Sequence, residues 1–268
     1  MNTVVPYLFK IGHYPVYGYS AMMVVAIIVG FTAALIQAKR EGFDLKLMIE
    51  GSIITIIMGY IGARALYVFL NWDFYSTRPE RIFLPRFTGL SYYGTFILGT
   101  LTAFVWSRLR KQNFGKIADL WCPYLILGYA IVRIGCFLSG CCYGKPSGVY
   151  WAVVVPRVDN LFRHPVQLYA SFGAFLIFIF LRAMHHRRPF DGFNLVALGS
   201  LYGLLRFITE FFREADSHMV FLGLSAAQLF SLPLFLFSTA LLLHLTRRAK
   251  EDEKKALSSK GKRRKSKK

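Results

Sequence analysis

Four residues in LYGLLRFITEFFREAD, Tyr202, Arg206, Glu210 and Arg213, fall at i, i+4, i+8 and i+11. On a helix that spacing puts all four on one face. The segment around them is apolar enough to enter a bilayer, and two further arginines, Arg64 and Arg133, lie in similar segments. A guanidinium at the centre of a spanning helix costs about 2.5–3.5 kcal/mol on insertion scales, and its pKa above about 12 forbids neutralisation. Such groups must face a protein interior or a wet cavity. Glu210 can answer one arginine as an internal salt bridge, but not three.

Arg133 precedes a broken stretch, AIVRIGCFLSGCCYGKP, in which Gly135, Gly140 and Gly144 allow close approach of a neighbour or ligand before the chain stops at Gly-Lys-Pro. Arg133 could alternatively cap carbonyls at that broken helix end. Together with Arg206 it offers the forked donors that suit phosphate. At membrane depth the natural phosphate is a phospholipid headgroup. RHPVQLYAS, residues 163–171, starts another helix with Pro165 as first-turn residue. His164 there reads as a cap, or as a proton acceptor or phosphate ligand. Gln167 and Tyr169 fall in the same first turn and can line the same cavity.

The cysteines are Cys122, Cys136, Cys141 and Cys142. Their spacing gives no zinc-finger pattern, so no metal is expected, and small apolar packing is the default reading. A disulfide from Cys136 to Cys141 or Cys142 stays open. Leu138–Cys141 reads LSGC, like the lipidation box of a lipoprotein precursor, but it follows a fourth span rather than an N-terminal signal and is rejected as a modification site.

These residues need helices to hold them. The chain has 268 residues, 55% hydrophobic with 25 Phe, and a mean hydropathy of +0.42. That composition predicts an all-α polytopic membrane protein. Runs of about 20 apolar residues predict seven spans, at 16–37, 47–70, 91–106, 117–138, 166–183, 193–212 and 222–245. The N-terminus lacks a cleavable signal pattern, so the first span is expected to direct insertion.

A net charge of +19 suggests nucleic acid until it is mapped onto the loops. Alternate connections and the C-terminal tail hold 22 of the 33 Lys and Arg, with 12 after Leu245. The opposite connections hold eight, and the remaining three are Arg64, Arg133 and Arg206. Positive residues concentrate on the cytoplasmic side, so the N-terminus is expected outside and the C-terminus in the cytoplasm. The three arginines then lie about 9 Å below the outer surface. No nucleic-acid partner is expected.

Residues 1–246 are expected to form the membrane domain, with loops 71–90 and 139–165 building a small extracytoplasmic cap. VYWAVVVP in the second loop alternates like a strand. Residues 247–268 read as a basic, disordered tail touching anionic lipid headgroups. No internal repeat supports an inverted-repeat transporter.

GARALYVF, GLSYYGTFILG, RIGCFLSGCCYGKP, RHPVQLYAS, YGLLRFITEFFREAD and LSAAQLFSLP occur in that order. This combination resembles the prolipoprotein diacylglyceryl transferase family across nearly the whole chain outside the tail. The resemblance implies a multi-pass enzyme of the bacterial cytoplasmic membrane, needing no cofactor and working at the outer leaflet. It would move the diacylglyceryl group of phosphatidylglycerol onto the lipobox cysteine of a preprolipoprotein signal peptide, releasing glycerol phosphate. Arg133 and Arg206 would hold the phosphate, Glu210 and Tyr202 would orient Arg206, and Arg64 and Arg213 would steer the lipid. His164, Gln167, Gly140 and Gly144 would complete the substrate cavity.

The chain departs from the family pattern near those arginines. Tyr93 stands where the family commonly has the His favoured as base, and a phenol with pKa near 10 suits that role only if arginines lower it. Cys136 replaces an Asn, Ser139-Gly140-Cys141 replaces Asn-Gly-Glu, and Ala170 replaces a Glu. The departures leave three readings: a dispensable base, a paralogue serving another acceptor, or a phospholipid-binding or translocating protein that breaks no bond.

Overall fold

The computed structural model describes residues 7–11, 14–82, 90–214, 220–221 and 223–265. A hairpin, β1 (Tyr7–Ile11) and β2 (Tyr14–Tyr17), leads into α1 (Gly18–Arg40). Then follow α2 (Leu45–Leu70), the short α3 (Trp72–Ser76), a 3-10 turn at Pro79–Arg81, α4 (Tyr92–Leu109) and α5 (Phe114–Leu138). Strands β3 (Val153–Val154) and β4 (Phe162–Arg163) precede α6 (Val166–Met184) and α7 (Phe193–Phe211). A last hairpin, β5 (Val220–Phe221) and β6 (Leu224–Ser225), opens α8 (Ala226–Lys265).

Each of the seven expected apolar runs forms a helix. Five of them, α1, α2, α5, α6 and α8, are long and apolar enough to cross a membrane. The 19 residues of α7 include the Arg206 and Glu210 of its polar stripe, which lowers its apolar character. The lipid-ready surface is evident in side chains such as Val24, Ile27, Ile28, Ile56 and Phe172, all exposed although apolar. The chain is a polytopic, all-α membrane protein.

It divides into two compact units, Leu35–Ile117 and Met1–Ala34 with Ala118–Lys268. In the first, α2 and α4 meet backbone to backbone. A Cβ on Gly62 would stand 2.5 Å from the Gly94 carbonyl oxygen, and one on Gly94 would strike Gly62 in return. Small residues at such crossings let apolar helices associate where no hydrophobic drive exists. Glu50 of α2 accepts hydrogen bonds from Trp106 Nε1 at 3.2 Å and Arg110 Nε at 3.0 Å, fixing the register of α2 against α4.

In the second unit, Ile126 and Ala130 of α5 pack with Ala174, Ile177 and Leu181 of α6 and Phe193 and Ala197 of α7. Ser171 Oγ donates to the Ala130 carbonyl at 2.8 Å. Gly203 lets α7 rest on the α8 backbone at Ser231 and Phe235, and Ser200 bonds Thr239 at 2.7 Å. At one end of this unit, Asp119 of α5 is fully buried and accepts from the backbone N–H of Gly192 (2.8 Å) and Asn194 (2.7 Å). Those are orphan donors of α7, whose own N-cap is Gly192, so an acid on another helix supplies the missing cap.

Two expectations need correction. The alternating VYWAVVVP run yields only the two-residue β3, because its sole partner among the described residues is the two-residue β4. The tail expected to be disordered from 247 is helical through Lys265. Residues 247–257, RRAKEDEKKAL, carry strong helix formers, and Arg247–Glu251, Arg248–Asp252 and Glu251–Lys255 are opposite charges four apart. Residues 83–89 of the expected cap loop, with Arg86, and residues 266–268 lie outside the described chain.

Candidate active site

At the other end of the second unit, α5 and α7 each carry an arginine five residues before the helix stops. The stop of α5 is built locally. Cys141 N donates to the Cys136 carbonyl at 3.1 Å and Gly140 N to that of Phe137 at 3.1 Å, with Gly140 at φ +66°. This is a Schellman end, and Gly140 is its left-handed residue. The helix therefore breaks at Gly140 rather than at Gly144-Lys145-Pro146, and Gly140 acts as a helix terminator.

A short backbone ladder then ties three helix ends together. Gly144 bridges Arg213, Pro146 bridges Arg163, and β3 pairs with β4. Lys145 N donates to the Phe212 carbonyl at 2.9 Å, and His164 N donates to that of Lys145 at 3.1 Å. Gly144 is needed here for space, since its Cβ would stand 2.7 Å from the Cβ of His164. Arg163 locks the ladder. The residue is 5% exposed, and its guanidinium lies 5.0 Å over the Tyr143 ring and donates to the Gly144 carbonyl, Asp159 and Glu214. Hydrogen bonds from Arg163 hold the Asp159 carboxyl below the usual carboxylate range, and Asp159 in turn raises the Arg163 pKa.

On this frame stands the polar wall. Arg206 Nη2 lies 2.9 Å from Glu210 Oε2, and Arg213 Nη1 lies 3.7 Å from the same oxygen. The other carboxylate oxygen accepts from Ser225 Oγ at 3.1 Å, and Ser225 N donates to buried Gln228. Arg133 stacks 4.7 Å over Tyr129, whose ring meets Tyr202 edge-on at 5.4 Å. Tyr202 sits one turn before Arg206, so an aromatic pair links the two arginine helices. Two guanidinium groups share the Glu210 carboxylate, and a third, Arg133, stands over Tyr129. The Nε atoms of Arg133 and Arg213 are buried and donate to no protein group among the described residues. Buried donors are normally satisfied, so two such atoms in one cationic wall mark a place for an anion.

His164 lies beside this wall. Its ring packs against Phe212 at 5.2 Å, and its Nδ1 is 3.1 Å from the Tyr169 hydroxyl. Trp151 Nε1 already donates to the Tyr169 oxygen at 2.6 Å. Trp151, Tyr169 and His164 thus form one hydrogen-bonded chain beside the wall. Gln167 is buried and donates to the Cys141 carbonyl at 2.7 Å, so it braces the α5 exit.

The second unit thus brings together Arg133, Tyr202, Arg206, Glu210 and Arg213, with His164 adjoining. Arg64 and Tyr93 belong to the first unit. Arg64 lies 5.3 Å over Tyr75 and donates to the carbonyls of Ile82 (3.1 Å) and Arg81 (2.6 Å), which ties down the chain after α3. Tyr93, near the start of α4, is 48% exposed. Sequence reasoning missed Tyr129, which lies one turn before Arg133 and was readable from its i, i+4 spacing. It also missed the bracing role of Arg163 and Asp159, another pair four apart.

Comparison with known proteins places the chain in a family. The profile of the family described as prolipoprotein diacylglyceryl transferase matches residues 6–244. Proteins named phosphatidylglycerol–prolipoprotein diacylglyceryl transferase are similar over most of their length. That of Finegoldia magna is 32% identical over 88% of this chain and 94% of its own, and that of Geobacter sulfurreducens is 31% identical over 91% and 96%. The Campylobacter lari protein is 32% identical over 88% and 92%. A match of this extent makes this chain a member of the prolipoprotein diacylglyceryl transferase family.

Proposed function

We propose that the chain transfers the diacylglyceryl group of phosphatidylglycerol to the lipobox cysteine thiol of a preprolipoprotein signal peptide. The observation that carries this is a wall in which Arg206 and Arg213 share the Glu210 carboxylate and Arg133 stands over Tyr129, with the Nε donors of Arg133 and Arg213 buried and lacking protein acceptors among the described residues. A phosphodiester supplies the missing acceptors. As the carbon–oxygen bond to the diacylglyceryl group breaks, charge gathers on the departing glycerol phosphate, and Arg133 and Arg206 stabilise it there. Glu210 and Tyr202 position Arg206, Arg213 steers the lipid, and His164 adjoins the site as a further phosphate ligand. The thiol sulfur must lose its proton to attack, because thiolate is the nucleophile.

In this reading the protein has seven spans in a bacterial cytoplasmic membrane, with the N-terminus outside and the arginine wall near the outer leaflet. The loop-charge asymmetry supports that orientation. The basic helix from Arg247 to Lys265 then lies at the cytoplasmic surface against anionic headgroups. Arg64 holds a loop of the first unit. Tyr93 is the residue that the resemblance offers as proton acceptor, and an unchanged pH–rate profile in Tyr93→Phe removes it from that role.

The purified chain, given phosphatidylglycerol in detergent and a lipobox peptide, is expected to form thioether and glycerol phosphate in equal amounts. A peptide with Ser in place of the Cys gives neither product. Tight phosphatidylglycerol binding without glycerol phosphate release would instead establish a lipid-binding protein and overturn the transferase reading. A second acceptor class has one specific support, the replacement of family polar residues by Cys136, Cys141 and Ala170. It requires glycerol phosphate release with an acceptor other than a lipobox peptide.

A further inference from the structure

The mechanism above leaves all four cysteines unused, and three of them cluster. Cys136, Cys141 and Cys142 place their sulfur atoms within 4.8 Å of one another. The fold produces this cluster at some conformational cost. The Schellman end turns the chain back at Gly140, and Cys142 takes φ +57°, a left-handed conformation uncommon for a side-chain-bearing residue. Cys136 is buried on the last turn of α5, whereas Cys141 and Cys142 are half-exposed.

We infer that these three sulfurs are a binding site for a thiophilic divalent cation of the zinc class, with its fourth coordination position open to the acceptor thiol. Three metal–sulfur bonds of about 2.3 Å in tetrahedral geometry set the sulfurs about 3.8 Å apart. The observed grouping needs only a small contraction to reach that spacing. No His, Asp or Glu among the described residues joins the three cysteines, so the protein provides three ligands and not four. Three protein ligands with an open fourth position is the pattern of a reactive zinc site rather than a purely structural one. Three thiolates and a divalent ion carry a net charge of −1, and Arg133 and Arg213 lie within electrostatic reach of Cys142.

This inference rests on the transferase reading and deepens it. A peptide thiol entering the fourth position coordinates as thiolate and releases its proton to solvent. Its sulfur then bonds to the glycerol carbon of phosphatidylglycerol that carries the phosphate ester. The carbon–oxygen bond breaks, its electron pair leaves with the glycerol phosphate on Arg133 and Arg206, and the thioether departs from the metal. The site would supply the thiolate in a chain where Tyr93 stands in place of the family's histidine.

The test uses full-length protein isolated under reducing conditions, loaded with Zn²⁺ and then with Co²⁺. Wild type is expected to hold one Zn²⁺ per chain against a competing chelator, and Cys122→Ser is expected to match it. The triple variant C136S/C141S/C142S should hold none. Should that variant fail to fold, Cys142→Ser alone should weaken Zn²⁺ at least ~10-fold. In the Co²⁺ form, the visible bands should shift with a lipobox peptide and not with its Cys→Ser analogue. Equal Zn²⁺ retention in wild type and the triple variant, a native disulfide within the trio, or bands indifferent to the peptide thiol would each overturn the inference. Wild-type transfer rates in the triple variant would overturn it while leaving the transferase reading intact. A metal site that responds to the peptide in a protein releasing no glycerol phosphate would do the reverse.

Discussion

The second unit buries charge at both ends, and the two ends treat it differently. Around Asp119 one carboxylate meets one nearby guanidinium, Arg188 at 3.5 Å, and both carboxylate oxygens accept backbone donors of α7. Asn194 returns a bond to the Asp119 carbonyl at 2.9 Å and reaches His185. Around Glu210 one carboxylate meets two guanidinium groups, a third stands over Tyr129, and buried Nε donors remain. The first arrangement pairs its carboxylate with a guanidinium within the protein, although Arg182 Nη1 and Asn194 Oδ1 are buried there without a hydrogen-bond partner among the described residues. The second is balanced only by something brought in. Charge balance, more than burial or helix position, separates a polar core from a site.

Substitutions at the two ends should therefore fail in different ways. Arg206→Ala is expected to lower transfer by about 10²–10³ with little change in melting temperature, because it removes stabilisation of the leaving group. Asp119→Ala should do the opposite. It strips the cap from α7 and leaves buried N–H groups unpaired, costing about 2 kcal/mol or more, while activity per folded molecule is kept. Thermal melts and initial rates on the same preparations separate the two, and a shared phenotype would erase the distinction.

Glu210→Gln should be intermediate, lowering kcat/KM by about 10–100-fold through a misplaced Arg206 rather than a lost contact with lipid. Rescue by Glu210→Asp would argue for positioning, and wild-type rates in Glu210→Gln would remove Glu210 from the mechanism.

The smallest effect concerns the ladder that frames the wall. Asp159 has a folded pKa below its unfolded value of about 3.9. Its contribution to stability is complete above that value and is lost as pH falls through the folded pKa. Protease cutting within residues 147–161 should increase in acid below about pH 4, and Asp159→Asn should already be cut at neutral pH. Equal resistance of the two proteins at pH 7 would show that the pair does not hold the ladder.

Much of this was legible in the sequence, for reasons that vary by residue. The apolar runs marked every long helix, and the i, i+4, i+8 spacing put Tyr202, Arg206 and Glu210 on one wall, because helical periodicity is local. Gly140 was noticed but assigned to substrate, since a Schellman end is defined by backbone bonds that composition does not display. Asp119 escaped notice because its partners, Gly192 and Asn194, lie more than 70 residues away. Arg64, singled out for its depth, spends its donors on two loop carbonyls that no pattern announces. The cysteine trio looked like packing because a spacing of five and one fits no familiar metal motif until the chain reverses at Gly140.

The central claim is that the excess guanidinium charge holds a phospholipid phosphate, and its most direct measurement is lipid binding. Phosphatidylglycerol and phosphatidylcholine of equal chain length would be titrated onto wild type and Arg133→Ala in neutral detergent. The account requires a clear wild-type preference for phosphatidylglycerol that shrinks sharply in Arg133→Ala, with phosphatidylcholine binding unchanged. An undiminished preference in the variant would contradict it.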